Sequence, residues 1–597
     1  MAWFRRAQKA PTICVPADMP GASPLVRLEG GRKAAIETGR NRLMVALLLF
    51  GLCFTVLAAR LMQLTLLPAA DPPQARGLPL SPPPERVVLD RQPIVDRNGV
   101  LLATNLRTAS LFAEPKKVLN PAEAAARLVQ ELPELSEADV RAKLSSGKSF
   151  VWLKRNLTPR QQYVVNRLGI PGLMFQAEQR RIYPQGPLAA HVLGFTDVDG
   201  RGIAGIEQFF DETLRDPSRA GEPLEMAIDI RVQHALRDEL ARSMAEFNAI
   251  GAGGLVLDVH TGEIVGMISL PDFDPANPGE APKDTRFNRI TLGVYEMGST
   301  MKTLNTAMAL DSGVVKLSGS FDATRPIQIG KFTIRDDHAK NRYLTVPEIF
   351  MYSSNIGSAR MAVEVGPAGQ RAFMDKIGML KKPTLELPEI GGPLVPRNWK
   401  TVETMTIAFG HGMSITPLQL ASATAAIVNG GVLHPATLVK RQPGLPVPGQ
   451  QVISQQVSDT MRKLMHLVVD EGTGKKATVD GYLVGGKTGT SEKVNARGGY
   501  NRKALFNTFV AAFPMTAPRY VVIASIDEPK GNKSTYGFAT AGWTAAPAAG
   551  RIIARIAPML GVEPVDENSL AVRQAMYVPV PGVAPPVAQV EKKLAAY

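Results

Sequence analysis

The segment YEMGSTMKT contains a serine and a lysine three residues apart, Ser299 and Lys302. On a helix the two side chains would lie one turn apart on the same face. A serine hydroxyl is a weak nucleophile until a base removes its proton, and a lysine can be that base where burial and nearby positive charge lower its pKa. A helix N-cap would explain Ser299, but it gives no reason for Lys302. A second such pair, Ser145 and Lys148 in SSGKS, lies in a polar stretch without companion motifs, so we predict a turn there.

Two further motifs follow in chain order. The segment SSN supplies Ser353 and Asn355. The segment GGKTGTS supplies four consecutive residues: Lys487, Thr488, Gly489 and Thr490. Ser-x-x-Lys, Ser-x-Asn and Lys-Thr-Gly in this order are the motif set of penicillin-binding proteins and serine β-lactamases. Each motif is weak alone, but the ordered set is specific, and it predicts acyl transfer through a serine.

A sheet covered by helices is predicted to position these motifs. The stretch GGLVLDVHTGEIVGMISL predicts a hairpin that turns at His260 to Gly262, and NTFVAAFPMTAPRYVVIASIDEP predicts another that turns near Pro514 to Arg519. The stretch GWTAAPAAGRIIARIAPML predicts a closing helix packed on that sheet. A further helix is predicted to start at Ser299 and to end at Gly313. Backbone N–H groups at its start would point to where an oxyanion forms.

The N-terminal segment predicts a single-pass membrane protein. Leu43 to Ala59 are 17 residues without a charge, and the apolar character continues past Arg60 to Leu67, which is about the length that spans a bilayer. The first 42 residues carry eight Lys or Arg and three acidic residues, so the positive-inside rule keeps the N-terminus in the cytoplasm and exports the rest. Both the leader and the apolar run are long for a signal peptide, so we expect an uncleaved anchor.

The chain beyond the anchor changes composition several times. Seven prolines among residues 68–84 favour an extended, semi-rigid spacer, and the tail rich in Pro, Val and Ala is predicted to be poorly ordered. The predicted divisions are a cytoplasmic segment (1–42), a transmembrane helix (43–67), a Pro-rich linker (68–84), a pedestal domain (85–223), a catalytic domain (224–562) and a C-terminal tail (563–597).

Composition excludes several classes of function. At 597 residues and 45% hydrophobic content the chain can form two or three cored domains. Cys14 and Cys53 are too far apart in sequence to suggest a disulfide framework, and none of the seven histidines stands at His-x-x-x-His spacing, so we expect no metal and no cofactor. The net charge of +14 is scattered and lacks a nucleic-acid motif, which favours an anionic membrane or cell-wall surface over nucleic acid as a partner.

The motif set and three other stretches resemble the class B penicillin-binding proteins of the division type. The stretches are DRNGVLLAT, RIYPQGPLAAHVLGFTDVDGRGIAGIE and GHGMSITPLQLA, and the likeness covers about residues 43 to 560. The resemblance implies an α/β (α+β) transpeptidase domain of the penicillin-binding and serine β-lactamase type, a mixed-structure pedestal of the dimerisation type and one transmembrane helix. The chain departs from the family at Met297, where proline is usual, and at Gln92-Pro93, where glycine usually follows the arginine.

The resemblance also implies roles for the first two motifs. Ser299 would be the acylated nucleophile and Lys302 its base. Ser353 would relay protons to the leaving group, and Asn355 would hydrogen-bond the substrate backbone. His411 lies between two glycines and invites a triad interpretation, but this mechanism needs no histidine, so we leave it out of the catalytic set.

For the third motif the resemblance implies recognition of a carboxylate. Lys487 would attract it and lower the pKa of Lys302, while Thr488 and Thr490 would hydrogen-bond it. Gly489 would let the strand approach the peptide without a side chain in the way. The backbone N–H groups of Ser299 and Thr490 would form the oxyanion hole.

The activity implied is that of a D,D-transpeptidase that cross-links peptidoglycan stem peptides at the septum and is inhibited by β-lactams. The resemblance further implies an inner-membrane location with a periplasmic catalytic domain, and a polytopic glycosyltransferase and divisome membrane proteins as partners. An elongation-type enzyme stays open as an alternative, although Asn355 favours the division type. A penicillin-binding sensor or scaffold also stays open. A β-lactamase or carboxypeptidase, with water as acceptor, would need neither anchor nor pedestal. A bifunctional glycosyltransferase and transpeptidase would need a longer N-terminal domain than the region 85–223 provides.

Overall fold

The computed structural model describes residues 29–66, 91–330, 332–494, 499–582 and 585. The chain divides into two units, Met1–Arg86 and Val87–Tyr597. In the first unit, helix α1 extends over Glu29–Leu66. Among the residues described, no helix combines the length and apolar character needed to cross a membrane, so the predicted span at 43–67 is not confirmed. The predicted Pro-rich linker, 68–84, lies outside the described residues.

The second unit begins with the region predicted as a pedestal. Its strands are β1 (Ile94–Val95), β2 (Leu101–Ala113), β3 (Val151–Leu157), β4 (Leu173–Ile182), β5 (Phe195–Thr196), β6 (Gly202–Ala204) and β7 (Leu224–Glu225). Its helices are α2 (Pro121–Glu131), α3 (Glu137–Leu144), α4 (Pro159–Arg167), α5 (Ala190–Leu193), α6 (Gly205–Phe209) and α7 (Asp211–Leu214). Strand β2 pairs antiparallel with β1, β3 and β4, and β1 pairs parallel with β7. Leu111, Leu128 and Leu153 belong to the core between this sheet and its helices.

A buried ion-pair network joins the start of this region, at Arg91, to strand β4 and helix α6. Both carboxylate oxygens of the fully buried Glu207 are bound, one by Arg91 Nε at 2.5 Å and the other by Arg181 Nε at 2.7 Å. Gln92, at the departure from the family pattern, is itself buried and donates to the carbonyl of Thr213 at 3.1 Å. The glutamine side chain therefore has a hydrogen-bonding role that a glycine could not supply. Ser145 closes helix α3 in an exposed position, as the predicted turn required.

The catalytic region is built on a five-stranded antiparallel sheet. Its strands are β8 (Gly251–Asp258), β9 (Ile264–Leu270), β16 (Gly485–Val494), β17 (Tyr500–Phe513) and β18 (Tyr520–Asp527), in the order β16-β17-β18-β8-β9. The pairings of β8 with β9 and of β17 with β18 confirm the two predicted hairpins. Strand β16, which carries the third motif, lies at the edge of the sheet. An edge strand leaves one row of backbone groups available for binding an extended peptide.

Helices lie on both faces of this sheet, and further helices pack on them. They are α8 (Ile230–Glu246), α9 (Met301–Asp311), α10 (Val346–Tyr352), α11 (Asn355–Lys376), α12 (Thr401–Ile407), α13 (Pro417–Val428), α14 (Gln455–Asp470) and α15 (Ala545–Met559). Helices α8 and α15 share one hydrophobic core with the sheet, which confirms the predicted closing helix. Helices α9, α13 and α14 contribute to the core on the other face, where the first motif lies. Short strand pairs complete this part: β10 (Ser320–Asp322) with β13 (Tyr343–Thr345), β11 (Ile327–Ile329) with β12 (Phe332–Ile334), and β14 (Val432–Leu433) with β15 (Gln450–Gln451).

The segment after residue 562 differs from the prediction of a poorly ordered tail. It forms helix α16 (Leu570–Met576) and continues with buried Val578 and Val580. Val580 packs with Met351 and Leu467, since these apolar side chains would otherwise be exposed to water. The prediction was wrong for residues 563–582 because it relied on composition, whereas alternate apolar residues dock on a surface that the rest of the chain provides.

Candidate active site

Ser299, the predicted nucleophile, lies at a tight backbone junction between a helix and the edge strand. A short 3₁₀ helix, Gly298–Thr300, leads into α9, so Ser299 precedes the α-helix proper. Gly298 has a φ of +51°, and a Cβ on it would lie 2.6 Å from the carbonyl oxygen of Thr490. A Cβ on Gly410 would lie 1.9 Å from the carbonyl oxygen of Gly298. Glycine is thus required at both positions, and the first turn of the helix packs directly on strand β16.

Lys302 lies within hydrogen-bonding distance of Ser299. Its Nζ is 2.7 Å from Ser299 Oγ, and the side chain is fully buried. The same nitrogen lies 2.9 Å from the carbonyl oxygen of Ser353, 3.1 Å from Ser353 Oγ and 2.7 Å from Asn355 Oδ1. The first two predicted motifs therefore meet at one amine.

Burial sets the protonation of this amine. It lowers the pKa of Lys302 from 10.5 to about 7, against the opposing attraction of Asp336 and Asp337. A lysine with that pKa is substantially neutral near physiological pH and can accept the proton of Ser299. The lysine therefore meets the requirement for a general base both in position and in proton affinity.

Ser353 connects the two lysines of the site. It ends helix α10 in the left-handed conformation, with φ 61° and ψ 42°, which is uncommon for a residue other than glycine and typical of functional positions. Its Oγ lies 2.9 Å from Lys487 Nζ in addition to its contact with Lys302. The hydroxyl can thus pass a proton between the two amines or towards a group in the cleft.

Lys487 lies on strand β16 and is fully buried. Burial and the charge of Lys302 together hold the pKa of Lys487 well below its ordinary value. The resemblance implies that Lys487 lowers the pKa of Lys302, but burial is the cause that lowers the pKa of Lys302, and the charge of Lys302 instead lowers the pKa of Lys487. The pair therefore carries fewer than two protons near neutral pH.

The rest of the third motif follows along β16. Thr488 Oγ1 lies 2.8 Å from Thr473 Oγ1, and Thr490 Oγ1 accepts a hydrogen bond of 2.9 Å from the backbone N–H of Ala541. Each threonine keeps hydroxyl capacity for another partner, since a hydroxyl both donates and accepts.

Gly489 is required for a reason that the sequence prediction lacked. A Cβ there would lie 2.4 Å from the carbonyl oxygen of Met297. The glycine therefore serves the close packing of strand β16 against the backbone before Ser299, in addition to any approach of a peptide.

Sequence reasoning missed Asp336, which holds the second motif in place. One of its oxygens accepts from the backbone N–H groups of Asn355 (2.6 Å) and Ile356 (2.9 Å), and the other accepts from Ser354 Oγ (2.7 Å). A carboxylate at the start of a helix is stabilised by the free N–H groups and the helix dipole. Its position in RDDH, in a loop nineteen residues before Asn355, carries no motif that could have revealed it.

His411 packs close to this site without joining its hydrogen bonds. Its ring contacts the rings of Phe409 and Tyr500, at centroid distances of 5.3 and 5.6 Å. Burial, with the nearby charge of Lys302, lowers the pKa of His411, which favours the neutral imidazole. The described residues contain no group of three His, Cys, Asp or Glu side chains able to hold a metal ion.

Comparisons with known proteins agree with this geometry. Residues 252–551 match the family described as the penicillin binding protein transpeptidase domain, and residues 89–218 match the penicillin-binding protein dimerisation domain. The chain is 44% identical over 483 residues to the probable peptidoglycan D,D-transpeptidase FtsI of Caulobacter vibrioides, covering 79% of this chain and 82% of that protein. It is 31% identical over 527 residues to peptidoglycan D,D-transpeptidase FtsI of Escherichia coli K12, covering 82% of this chain and 88% of that protein.

A solved structure extends the likeness to both domains. The crystal structure of penicillin binding protein 3 from Mycobacterium tuberculosis, complexed with aztreonam, matches with a TM-score of 0.63 at 24% identity, covering 80% of this chain and 97% of that one. At that identity the likeness concerns the fold. The chain therefore belongs to the penicillin-binding protein transpeptidase family, with a dimerisation domain preceding its transpeptidase domain.

Proposed function

We propose that this protein is a serine D,D-transpeptidase that cross-links peptidoglycan stem peptides during septal wall synthesis and is acylated by β-lactams. The observation that carries the proposal is the placement of Ser299 Oγ 2.7 Å from the fully buried amine of Lys302, whose pKa is about 7. The sequence identities of 44% and 31% to the two FtsI proteins support the substrate class and the septal role.

In the first half-reaction a stem peptide ending in D-Ala-D-Ala is the acyl donor. Lys302 takes the proton of Ser299 Oγ as that oxygen attacks the carbonyl carbon of the penultimate D-Ala. The backbone N–H groups of Ser299 and Thr490 stabilise the resulting oxyanion, a role supported by the contact of Gly298 with Thr490. The C–N bond then breaks, and the proton passes through Ser353 to the nitrogen of the departing D-Ala.

In the second half-reaction an amine of a neighbouring stem peptide attacks the ester carbonyl of the acyl-enzyme. The amine loses a proton to Lys302, the new C–N bond forms, and the proton returns to Ser299 Oγ as the ester bond breaks. The products are the cross-linked peptide and the free enzyme. Burial of both lysines away from bulk water favours this proton exchange within the site.

Recognition of the donor is assigned to the third motif and Asn355. The terminal carboxylate would bind near Lys487 and the hydroxyls of Thr488 and Thr490, and Asn355 would hydrogen-bond the peptide backbone. Edge strand β16 supports this assignment, because its free side can pair with an extended peptide. A β-lactam presents the same carbonyl and carboxylate and would acylate Ser299 in the same way.

The setting of the enzyme is also a proposal. The apolar stretch 43–67 and the positive charge before it support an inner-membrane anchor with the catalytic domain in the periplasm. A polytopic glycosyltransferase and divisome membrane proteins fit as partners of the anchor and pedestal. An elongation role and a sensor or scaffold role are the alternatives, and the intact lysine pair favours catalysis over the latter.

A labelling experiment tests the activity. The full-length chain is incubated with fluorescent penicillin, and the adduct is mapped by peptide mass spectrometry. We expect the label on Ser299, its loss in Ser299→Ala and no change in Ser145→Ala, the matched variant in the other Ser-x-x-Lys pair. Release of D-Ala with formation of a cross-linked dimer from purified lipid-linked substrate separates a transpeptidase from a sensor. Label elsewhere, or labelling without any cross-linked product, would refute the proposal.

A further inference from the structure

Glu296 connects the segment before Ser299 to three other elements. Its carbonyl oxygen accepts a hydrogen bond of 2.5 Å from Ser491 Oγ on strand β16. Its Oε1 accepts from the backbone N–H of Gly412 at 2.7 Å and from the hydroxyl of Tyr500, the first residue of β17, at 3.1 Å. None of the three motifs includes this glutamate. One residue therefore joins both strands and the turn at Gly412 to the main chain that leads to Ser299.

The carboxyl group of Glu296 costs stability in this place. Burial raises its pKa above the ordinary value for a glutamate. Its second oxygen, Oε2, is buried and has no hydrogen-bond partner among the described residues. A buried polar atom without a partner is unfavourable, so packing alone gives no reason for a carboxyl here. Local features that cost stability are typical of functional positions in proteins.

The main chain between Glu296 and Ser299 needs an attractive contact to stay in place. Close packing at Gly298 keeps the neighbouring backbones from coming nearer, but repulsion alone does not hold them together. The N–H of Gly298 reaches the carbonyl oxygen of Gly410 only at 3.3 Å, which is long for a hydrogen bond. The 2.7 Å hydrogen bond from Gly412 to Glu296 Oε1 holds the same turn more closely. The carboxylate therefore supplies the attraction that the main chain lacks.

The hydrogen bonds of Glu296 also join the two elements that would form the oxyanion hole. One N–H group belongs to Ser299, three residues after Glu296, and the other belongs to Thr490, which directly precedes Ser491. The placement of these two N–H groups decides how well they stabilise an oxyanion. A change in the contacts of Glu296 would therefore alter the acylation step itself.

Tyr500 holds the outer end of the same two strands. It pairs with Val494 in the sheet, and its side chain is 45% exposed, so its hydroxyl can be removed with little loss of buried contacts. We propose that Glu296 is a positioning residue that holds Ser299 in register with strand β16, through Gly412 and the Tyr500 hydroxyl. This role rests on the acylation of Ser299 proposed above.

The test separates the binding of penicillin from the acylation step. Stopped-flow traces of fluorescent penicillin with the full-length chain, over a range of concentrations, give the dissociation constant of the first complex and the maximal acylation rate. Glu296→Ala should lower the maximal rate at least about tenfold, since a displacement of about 1 Å in a reacting group can cost about 100-fold. The dissociation constant should change by less than about twofold, because Glu296 contacts Gly412 and Tyr500 and not the hydroxyls assigned to the carboxylate. Glu296→Gln, whose amide oxygen can accept both hydrogen bonds, should keep the maximal rate within about threefold of wild type.

A double-variant cycle shows whether Tyr500 acts through Glu296. Tyr500→Phe alone should lower the maximal rate about three- to tenfold, which is the range for one lost hydrogen bond. In the Glu296→Ala background the same change should have an effect of less than about 1.5-fold, because the partner of the hydroxyl is already absent.

Two control variants match these changes outside the site. Glu386 also accepts from one backbone N–H and one hydroxyl, those of Leu438 and Thr437. Tyr343 carries its hydroxyl on a side chain that is 60% exposed. Glu386→Ala and Tyr343→Phe should each leave the maximal acylation rate within about twofold of wild type.

The amount of penicillin bound at saturation reports the folded fraction of each variant, and if Glu296→Ala does not fold, Tyr500→Phe decides. An unchanged maximal rate in Tyr500→Phe, equal losses in Glu296→Gln and Glu296→Ala, or independent effects in the double variant would overturn the proposal while wild-type Ser299 is still labelled. Absence of label on wild-type Ser299 would instead overturn the proposed function, and the positioning role with it.

Discussion

We expect the acylation of Ser299 by penicillin to follow the titration of the Lys302 amine. Burial lowers the pKa of Lys302 from 10.5 to about 7, so the amine becomes an available base across the neutral range. For a group with that pKa the neutral fraction rises from about one tenth at pH 6 to about nine tenths at pH 8. The acylation rate should therefore rise about tenfold between these pH values and then level off.

The variant that isolates this effect is Lys302→Arg. It keeps the positive charge, but a guanidinium does not lose its proton in proteins, so acylation should fall by several orders of magnitude at every pH. Stopped-flow measurement of fluorescent penicillin binding gives the rate against pH for both proteins. Lys487→Gln serves as the second arm: because burial is the main cause of the low pKa at Lys302, the midpoint should stay within about one pH unit, while ligands with a carboxylate bind more weakly. A midpoint above pH 9 in the wild type, or wild-type labelling in Lys302→Arg, would refute the reasoning.

Three further variants test the packing around the site. Gly489→Ala places a Cβ 2.4 Å from the carbonyl oxygen of Met297, so we expect acylation to slow by about tenfold or more, with the melting temperature lowered; an unchanged rate in stopped-flow labelling would show that the strand can shift. Lys302→Met removes a buried amine whose folded pKa is depressed, so that unfolding takes up a proton between about pH 7 and 10.5. Wild-type stability should therefore rise with pH across that window. The variant should show a shallower rise, since Lys487 also has a lowered pKa, and should gain roughly 1–4 kcal/mol at pH 7 in urea unfolding. Val580→Asp places a carboxylate against Met351, just before the second motif, and should slow acylation severalfold, whereas equal rates would assign the C-terminal segment to stability alone.

The sequence was sufficient for the family and for bringing forward the residues that we propose carry the chemistry. Ser-x-x-Lys, Ser-x-Asn and Lys-Thr-Gly are short because each spans one local feature: the start of a helix, the junction between α10 and α11, and a stretch of strand. The structure brings Ser299, Lys302, Ser353, Asn355 and Lys487 within hydrogen-bonding distance of one another in a chain of contacts. Both hairpins and the closing helix were predictable because their apolar patterns and turn residues are local.

What sequence reasoning missed depends on distant partners. Asp336 acts through the backbone of a helix that begins nineteen residues later, and nothing in its own neighbourhood marks that contact. The composition of the tail after residue 562 predicts disorder, yet Val580 packs on a hydrophobic surface formed by α10 and α14. The sequence analysis named both burial and nearby positive charge as causes of a low pKa at Lys302, and the structure shows burial as the cause that lowers it.

The glycines of the site fix the backbone around Ser299. Gly298, Gly410 and Gly489 each place a Cα against a neighbouring backbone carbonyl, at distances that a Cβ would turn into a clash. The segment before Ser299 is therefore fixed by main-chain packing on one side against strand β16 and on the other against the turn at Gly410. Main-chain contacts of this kind do not depend on rotamers, so they can hold the Ser299 and Thr490 N–H groups in a fixed relation before substrate arrives. The replacement of the usual proline by Met297 fits this account, since it is the carbonyl of that residue, present in either case, that packs against Gly489.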